Sequence, residues 1–418
     1  MRTASIYTLG CRLNQADSAL VAGELSASGY EIMPWGKATD LIVINGCTVT
    51  GVASQKTRQA VRAARKRLPN AFIVLMGCEA TVAKPDKYPE ANLIVPNPRS
   101  DTIPNLIQAQ IKLAPPAKPV DDFTLDGVGL YEERTRANLK IQEGCDFYCT
   151  YCIVPHTRGP ARSRDFDDVL REASALVARG HRELVLAGVN ITTYSSHGAD
   201  LADLIQALLA IDDGFRIRLG SAEPGPIVPK VVDLMASEPR LCRFLHLPLQ
   251  YGEDGILAKM GRHYDTSEYA SLVRSAADKI PGLCLGTDVI VGFPGETEES
   301  FSSCRTYLES LPFGLMHIFT YSIRPGTPAA TMPGRPPGDV SATRSAALLD
   351  LAQAKAEAFA KSQVGKRLVV LTEETNPVSG WSDNYLHVTL PGNALERNTL
   401  MTANIVEATG GRELIAQA

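Results

Sequence analysis

Eight residues near the middle of the chain, CDFYCTYC at 145–152, set Cys145, Cys149 and Cys152 in a C-x3-C-x2-C pattern. Thiolates are soft ligands that suit zinc and iron–sulfur clusters. A closed structural zinc site takes four ligands, and this set is one short. On a four-iron cluster, three thiolates leave one iron open to a substrate or cofactor, so the vacancy has a chemical use. His156 keeps zinc open as a rival, because C-x3-C-x2-C-x3-H is also a Cys3His arrangement. Tyr148 and Tyr151 lie inside the motif and could stack on an adenine or simply pack. A second trio is spread out. Cys11, Cys47 and Cys78 each close an apolar run through a glycine: IYTLGC (6–11), LIVINGC (41–47) and FIVLMGC (72–78).

These runs read as parallel strands buried on both faces, with ANLIVPN (91–97) as a fourth and helices over 17–28 and 53–68. Ligands of open α/β sheets sit beyond the carboxyl ends of the strands, so Cys11, Cys47 and Cys78 are expected at one sheet edge. LAPPAKP (113–119) reads as a linker. Six further strands follow at 139–144, 182–189, 216–223, 243–250, 283–293 and 315–322, with helices such as 166–180 and 296–311 between them. That alternation predicts a full or partial β/α barrel, whose chemistry sits at the carboxyl ends of its strands. Placement there counts against zinc for the 145–156 segment. A loop over 324–338 leads to a long helix near 339–361, and short strands from about 362 predict a small β-barrel. The expected fold class is α/β: an amino-terminal parallel domain (1–112), a linker (113–134), a central barrel (135–361) and a carboxyl-terminal small β-barrel (362–418).

The chain has 418 residues, a formal net charge of −4 and 44% hydrophobic residues. No apolar run is long enough to span a membrane, and the start lacks the pattern of a signal peptide. A cytoplasmic protein is expected, so nine cysteines suggest metal or redox chemistry rather than disulfides. Residues 54–67 carry six cations and no acid, with Arg58, Arg62 and Arg65 on one helical side. That face is either solvated or a phosphate-binding surface. There is no P-loop and no GxSxG elbow. Cys242, Cys284 and Cys304 read as buried hydrophobes. His246 and His317 read as satisfied core histidines.

The C-x3-C-x2-C motif with an aromatic before its last cysteine resembles that of the radical S-adenosylmethionine (SAM) superfamily. The wider chain resembles the methylthiotransferase family within it. TLGCRLNQADS (8–18), the three amino-terminal cysteines, GCDFYCTYCIVPHTRGPARSR (144–164) and a TRAM-like carboxyl-terminal barrel carry the likeness over nearly the whole length. The resemblance implies two [4Fe-4S] clusters, on Cys145, Cys149 and Cys152 and on Cys11, Cys47 and Cys78. It implies SAM as both methyl donor and radical source. From position, the SAM contacts would be Tyr151, Gly188, Asn190, Ser221, Glu223, Gln250 and Asp288, with Gly292–Gly295 beside the last. Arg158, Arg162 and Arg164, Arg58 and Arg62, and Lys366 and Arg367 would reach RNA phosphates. Further partners implied are the tRNA anticodon loop, an electron donor such as a flavodoxin or ferredoxin, and a sulfur donor. TLGCRLNQ, LAGVN, GSAEP and the short terminal barrel look most like the branch that modifies N6-threonylcarbamoyladenosine at tRNA position 37. Other branches act on isopentenyladenosine or on a ribosomal-protein aspartate. His156 departs from the tyrosine expected in the first branch. A reading of another class is a metal-sensing RNA-binding protein without catalysis.

Overall fold

A computed structural model of the protein describes residues 2–98, 102–109, 114, 122–131, 135–392 and 394–417. The Pro-rich stretch at 113–119 lies outside the described residues except for Ala114.

The amino-terminal part is a five-stranded, wholly parallel sheet. Its elements are β1 (Arg2–Thr8), α1 (Arg12–Ala27), β2 (Tyr30–Ile32), β3 (Leu41–Gly46), α2 (Gly51–Arg67), β4 (Phe72–Gly77), α3 (Cys78–Val82) and β5 (Leu93–Val95), with sheet order β2-β1-β3-β4-β5. Side chains of a strand alternate between faces. Leu41 and Val43 of β3 therefore pack with Val21 and Leu25 of α1, whereas Ile42 and Ile44 pack with Val61 and Ala64 of α2. A helix on each face explains why the strands read as continuous apolar runs.

The expected strand at 6–11 is shifted. β1 stops at Thr8, and α1 starts directly after Cys11, which is its N-cap residue. Two glycines make these turns possible. Gly77 has φ +87°, and a Cβ there would fall 2.1 Å from Asn45 Oδ1. Gly10 has φ +102°, and a Cβ there would fall 3.0 Å from Cys47 Sγ.

The centre holds six parallel strands in two groups. Arg136–Lys140, Glu183–Ala187 and Arg216–Leu219 form one sheet, and Phe244–His246, Cys284–Val291 and Phe313–Thr320 form the other. Bridges Ile217↔Leu241 and Ser221↔His246 join the third strand to the fourth. Among the described residues no ladder pairs the first strand with the sixth, so the barrel is partial. Helix α1 lies along the first of these strands: Asp17 pairs with Lys140 at 2.8 Å, and Ala19 joins the barrel core. Helix Gly338–Lys361 leads from the sixth strand's side to a closed five-stranded barrel spanning Arg367–Gln417.

Candidate active site

The amino-terminal cysteines stand at the carboxyl edge of the first sheet. Cys11 caps α1, Cys47 follows β3, and Cys78 opens α3 after β4. Burial pushes the Cys47 thiol up to about 11, and Cys78 and Cys11 raise it further through their proximity. Burial also pushes Cys78 up, against the pull of Arg158.

The second trio lies on the loop after the first barrel strand. Gly144 starts that loop at φ +72°, where a Cβ would collide with Pro160 O at 1.8 Å. Burial lifts Cys145 to about 11 and Cys152 to about 12, and each neighbouring thiol adds to the lift. Thiols gathered in this way, with Cys47, Cys78 and Cys149 buried, are poor companions as free thiolates, but a bound cationic cluster would reverse that cost. All nine cysteines are free thiols.

The spacing of the thiols does not match a single preformed zinc site. Two thiolates on one zinc lie about 3.8 Å apart, from the Zn–S length and tetrahedral angle. Among the described residues, the one set of three metal-ligating groups whose donor atoms lie within 4.8 Å of one another is His246, Asp288 and His317. Neither cysteine trio is drawn in so tightly. His156 is exposed to solvent, and among the described residues it joins no set of three close metal-ligating groups, which gives the Cys3His alternative no support.

Two residues not anticipated from the sequence organise the second trio. Arg262 donates to Cys149 Sγ at 3.2 Å and to Tyr264 Oη at 3.0 Å, and it pairs with Glu223. Burial alone would depress its pKa, but Glu223, Tyr151 and Tyr264 hold it well above the ordinary value. Gln142 donates to the carbonyls of Glu143 and Gly144 at 3.0 and 2.8 Å and accepts from Val189 N and Asn190 N, both at 2.9 Å. It thereby ties the cysteine loop to the turn after the second barrel strand. A Cβ on Gly188 would fall 2.9 Å from its Oε1, which accounts for that glycine.

The seven proposed SAM contacts divide. Glu223 and Tyr151 stand with Cys149 through Arg262. Gly188, Ser221 and Asp288 instead line a pocket of about 260 Å³ with Cys11, Arg12, His246, His317 and Tyr385. Asn190 caps a short helical turn, and its buried Nδ2 has no partner. Gln250 is buried at φ +74° and bonds through its backbone to Asp288 and Ile290.

His246 is buried as expected, but His317 is not a core histidine. Both bond Asp288 Oδ1, at 3.2 and 3.0 Å, from three adjacent strands. The His317 side chain is 49% exposed, into the pocket, and His246 Nδ1 is buried without a partner. Burial would raise the Asp288 carboxyl, but the two histidines hold it well below the usual range.

Three arginines expected at RNA phosphates are interior. Arg164 is fully buried between Asp168 and Glu172, at 2.7 and 2.5 Å. Arg162 is turned to Glu143 at 2.7 Å and stacks over Phe123. Arg158 is buried against Cys78, Glu143, Asn14 and Asp17. Desolvation of unpaired guanidinium is costly, so each is surrounded by acceptors. Arg58, Arg62, Lys366 and Arg367 keep access to solvent; the first two hold long pairs of 3.8 and 3.7 Å to Glu79 and Glu90, and Arg58 also bonds the Tyr88 side chain.

Residues 139–306 match the model of the radical SAM superfamily, and residues 3–95 match the uncharacterized protein family UPF0004. Threonylcarbamoyladenosine tRNA methylthiotransferase of Bacillus subtilis is 33% identical over 94% of this chain and 91% of its own length. The Aquifex aeolicus protein of the same name is 34% identical over 92% and 96%. The chain belongs to the radical SAM methylthiotransferase family. A tRNA-2-methylthio-N(6)-dimethylallyladenosine synthase of Dictyoglomus thermophilum is 34% identical over 91% of this chain and 90% of that protein. A radical SAM methyltransferase, TsrM of Kitasatospora setae, shares the fold at TM-score 0.59 and 17% identity, over 79% of this chain and 77% of that one. This methylthiotransferase is therefore a radical SAM enzyme, with SAM and two [4Fe-4S] clusters as its cofactors. No helix among the described residues is long and apolar enough to cross a membrane.

Proposed function

We propose that the enzyme adds a methylthio group to C2 of N6-threonylcarbamoyladenosine at position 37 of tRNA. Cys145, Cys149 and Cys152 hold the cluster that takes SAM, and Cys11, Cys47 and Cys78 hold the second cluster. When bound, these groups supply a hydrogen-abstracting 5′-deoxyadenosyl radical and the methylthio sulfur. A C–H carbon on an adenine ring has no usefully acidic proton, so an acid–base pair would not serve.

The observation that carries the branch is the polarity of the pocket beside Cys11. Arg12 enters it bonded to Tyr385 Oη at 2.9 Å. Burial would raise the Tyr385 phenol, yet Arg12, Arg136, Arg218 and Arg412 together hold it below its ordinary value. Of these arginines Arg12 lines the pocket, and its guanidinium suits the carboxylate of a threonylcarbamoyl substituent. The half-exposed His317 imidazole, also in the lining, offers a polar group to its hydroxyl or amide. Phe244 and Phe319 supply the apolar walls that keep water from the base. An isopentenyl chain would leave these polar groups desolvated and unmatched, and sites built for hydrogen bonding reject such analogues strongly.

Within this reading Arg262 and Glu223 position the SAM-side loop, and exposed Arg58, Arg62, Lys366 and Arg367 meet tRNA phosphates. The anticodon loop is single-stranded, so its bases can be splayed into a pocket. A flavodoxin- or ferredoxin-type electron donor and a sulfur donor complete the reaction, and the cytoplasm is its setting.

The test is anaerobic turnover of the reconstituted enzyme on tRNAs carrying threonylcarbamoyladenosine or isopentenyladenosine at position 37, with nucleoside mass spectrometry. The expected kcat/KM favours the first by 100-fold or more, on the order of hydrogen-bond-based discrimination. Equal use of both would refute the pocket assignment. A methylthiolated ribosomal-protein aspartate would place the enzyme in another branch.

A further inference from the structure

Arg158 lies six residues after Cys152, a position that suggests a phosphate contact, but it is 2% exposed. Its Nε donates to Cys78 Sγ at 3.2 Å. Nη1 donates to Glu143 Oε1 at 2.7 Å, and Nη2 to Asn14 Oδ1 and Asp17 Oδ2 at 2.6 and 2.9 Å. Asn14 is three residues after Cys11, and Glu143 is two before Cys145. One planar guanidinium thus touches the ligand segments of both trios.

The charges around it do not cancel. Lys140 pairs with Asp17 and Glu143 at 2.8 and 3.1 Å, and Arg162 pairs with Glu143 at 2.7 Å. Three buried cations, Arg158, Lys140 and Arg162, therefore share two carboxylates, Asp17 and Glu143. The surplus positive charge is aimed at a thiol sulfur. Adding an electron to a cluster adds negative charge, which a fixed cation and an N–H···S bond stabilise; both raise the reduction potential.

We infer that Arg158 is a positioning residue that sets the reduction potential of the cluster on Cys11, Cys47 and Cys78 and locks it at a fixed place relative to the SAM-side loop. The inference rests on the reading that Cys78 ligates that cluster. Electron counting gives the device a purpose. Joining a carbon radical to a methylthiolate leaves one electron over, and the cluster on Cys11, Cys47 and Cys78, when bound, would supply a site for the uptake of that electron. A raised potential favours that uptake.

The experiment uses the full-length chain with Cys145, Cys149 and Cys152 replaced by Ala, so that the amino-terminal cluster is read alone. Arg158→Gln and Arg158→Lys are made in that background and in the otherwise native enzyme. Iron and sulfide are assayed, and the midpoint potential is taken by redox titration followed by electron paramagnetic resonance. In the triple-alanine background, Arg158→Gln is expected to lower the potential by an amount equal to about tenfold in the oxidised-to-reduced ratio, or about 59 mV for one electron. Arg158→Lys, which keeps the charge but loses the fork, is expected to shift it less. In the enzyme with both clusters, Arg158→Lys is expected to form more 5′-deoxyadenosine per methylthio group transferred.

An unchanged potential in Arg158→Gln with iron retained would overturn the inference. Loss of that iron in both variants would also overturn it, by making Arg158 an assembly residue only. A triple-alanine parent without iron would instead defeat the assignment of Cys11, Cys47 and Cys78, and the inference with it.

Discussion

Arg262 shows how one buried side chain can serve chemistry without being a ligand. It sits at 3.2 Å from Cys149 Sγ and holds Glu223, so it fixes the loop and offsets thiolate charge together. Replacing it leaves Glu223 facing the trio with no counter-charge. Outer-shell partners of metal ligands typically cost 10–100-fold in metal affinity or activity when lost. Arg262→Gln is therefore expected to slow SAM cleavage by about 10–100-fold, measured as 5′-deoxyadenosine released by the reconstituted enzyme. Cleavage at the native rate would show that Glu223 and Cys149 need no such bridge.

At the scale of elements, the turns that end β3 and β4 decide whether the amino-terminal trio converges. Gly77 has no room for a side chain, since a Cβ would lie 2.1 Å from Asn45 Oδ1 and 2.7 Å from Gly46 O. A left-handed backbone in a non-glycine residue costs about 1–3 kcal/mol before any clash is counted. Gly77→Ala is expected to displace Cys78 and to lose about half the iron, while SAM cleavage survives. Full iron with native methylthio transfer would show that β4 and α3 can absorb the change. Helix α2 and the start of the small barrel, from Lys366 just before its first strand, present Arg62, Lys366 and Arg367 to solvent. Neutralising Lys366 and Arg367 together should weaken tRNA binding evenly across sequences and flatten its salt dependence by about one to two units of log–log slope. An unchanged slope in filter binding from 50 to 200 mM salt would exclude this strand from the interface.

The whole molecule is held together by buried ion pairs that cross its parts. Glu183 on the second barrel strand takes Arg216 and Arg218 of the third, each through Nε at 2.7 Å. The remaining nitrogens of these arginines donate to Val369 O, Trp381 O, Ser382 O and Asp383 O of the small barrel, at 2.9 to 3.0 Å. Removing one partner of a buried pair typically costs 3–5 kcal/mol, because the other charge stays behind. Glu183→Gln is expected to destabilise the fold by about 3 kcal/mol, read from denaturant unfolding; a change under about 1 kcal/mol would mean that the carbonyls alone suffice. The pH dependence has a definite sign. Burial would raise the Glu183 and Asp17 carboxyls, but Arg218 and Arg216, and Lys140 and Arg158, hold them below the ordinary range. Their contribution is complete above the unfolded carboxylate pKa of about 4 and is lost as pH falls beneath it. Thermal midpoints should hold near neutral pH and drop below about pH 4, with a smaller drop in Glu183→Gln.

By itself the sequence determined the two cysteine trios, the parallel sheet that carries the first and the β/α units that carry the second. The physical reason is that strands covered on both faces must be apolar throughout, and a cysteine at the end of such a run can only sit at the sheet edge. It could not say which polar residues face water. Arg158, Arg162 and Arg164 follow one another like a surface basic run, yet their acceptors come from α1, from Glu143 and from the helix Phe166–Ala178. His246 and His317 lie in apolar strands, and only the pairing of Asp288 with His317 across adjacent strands reveals that they line a cavity. Arg262, far along the chain from Cys149, carried no local signal at all. Burial and charge pairing are properties of the assembled chain, because each needs a partner that sequence distance does not specify; the tertiary structure alone decided them.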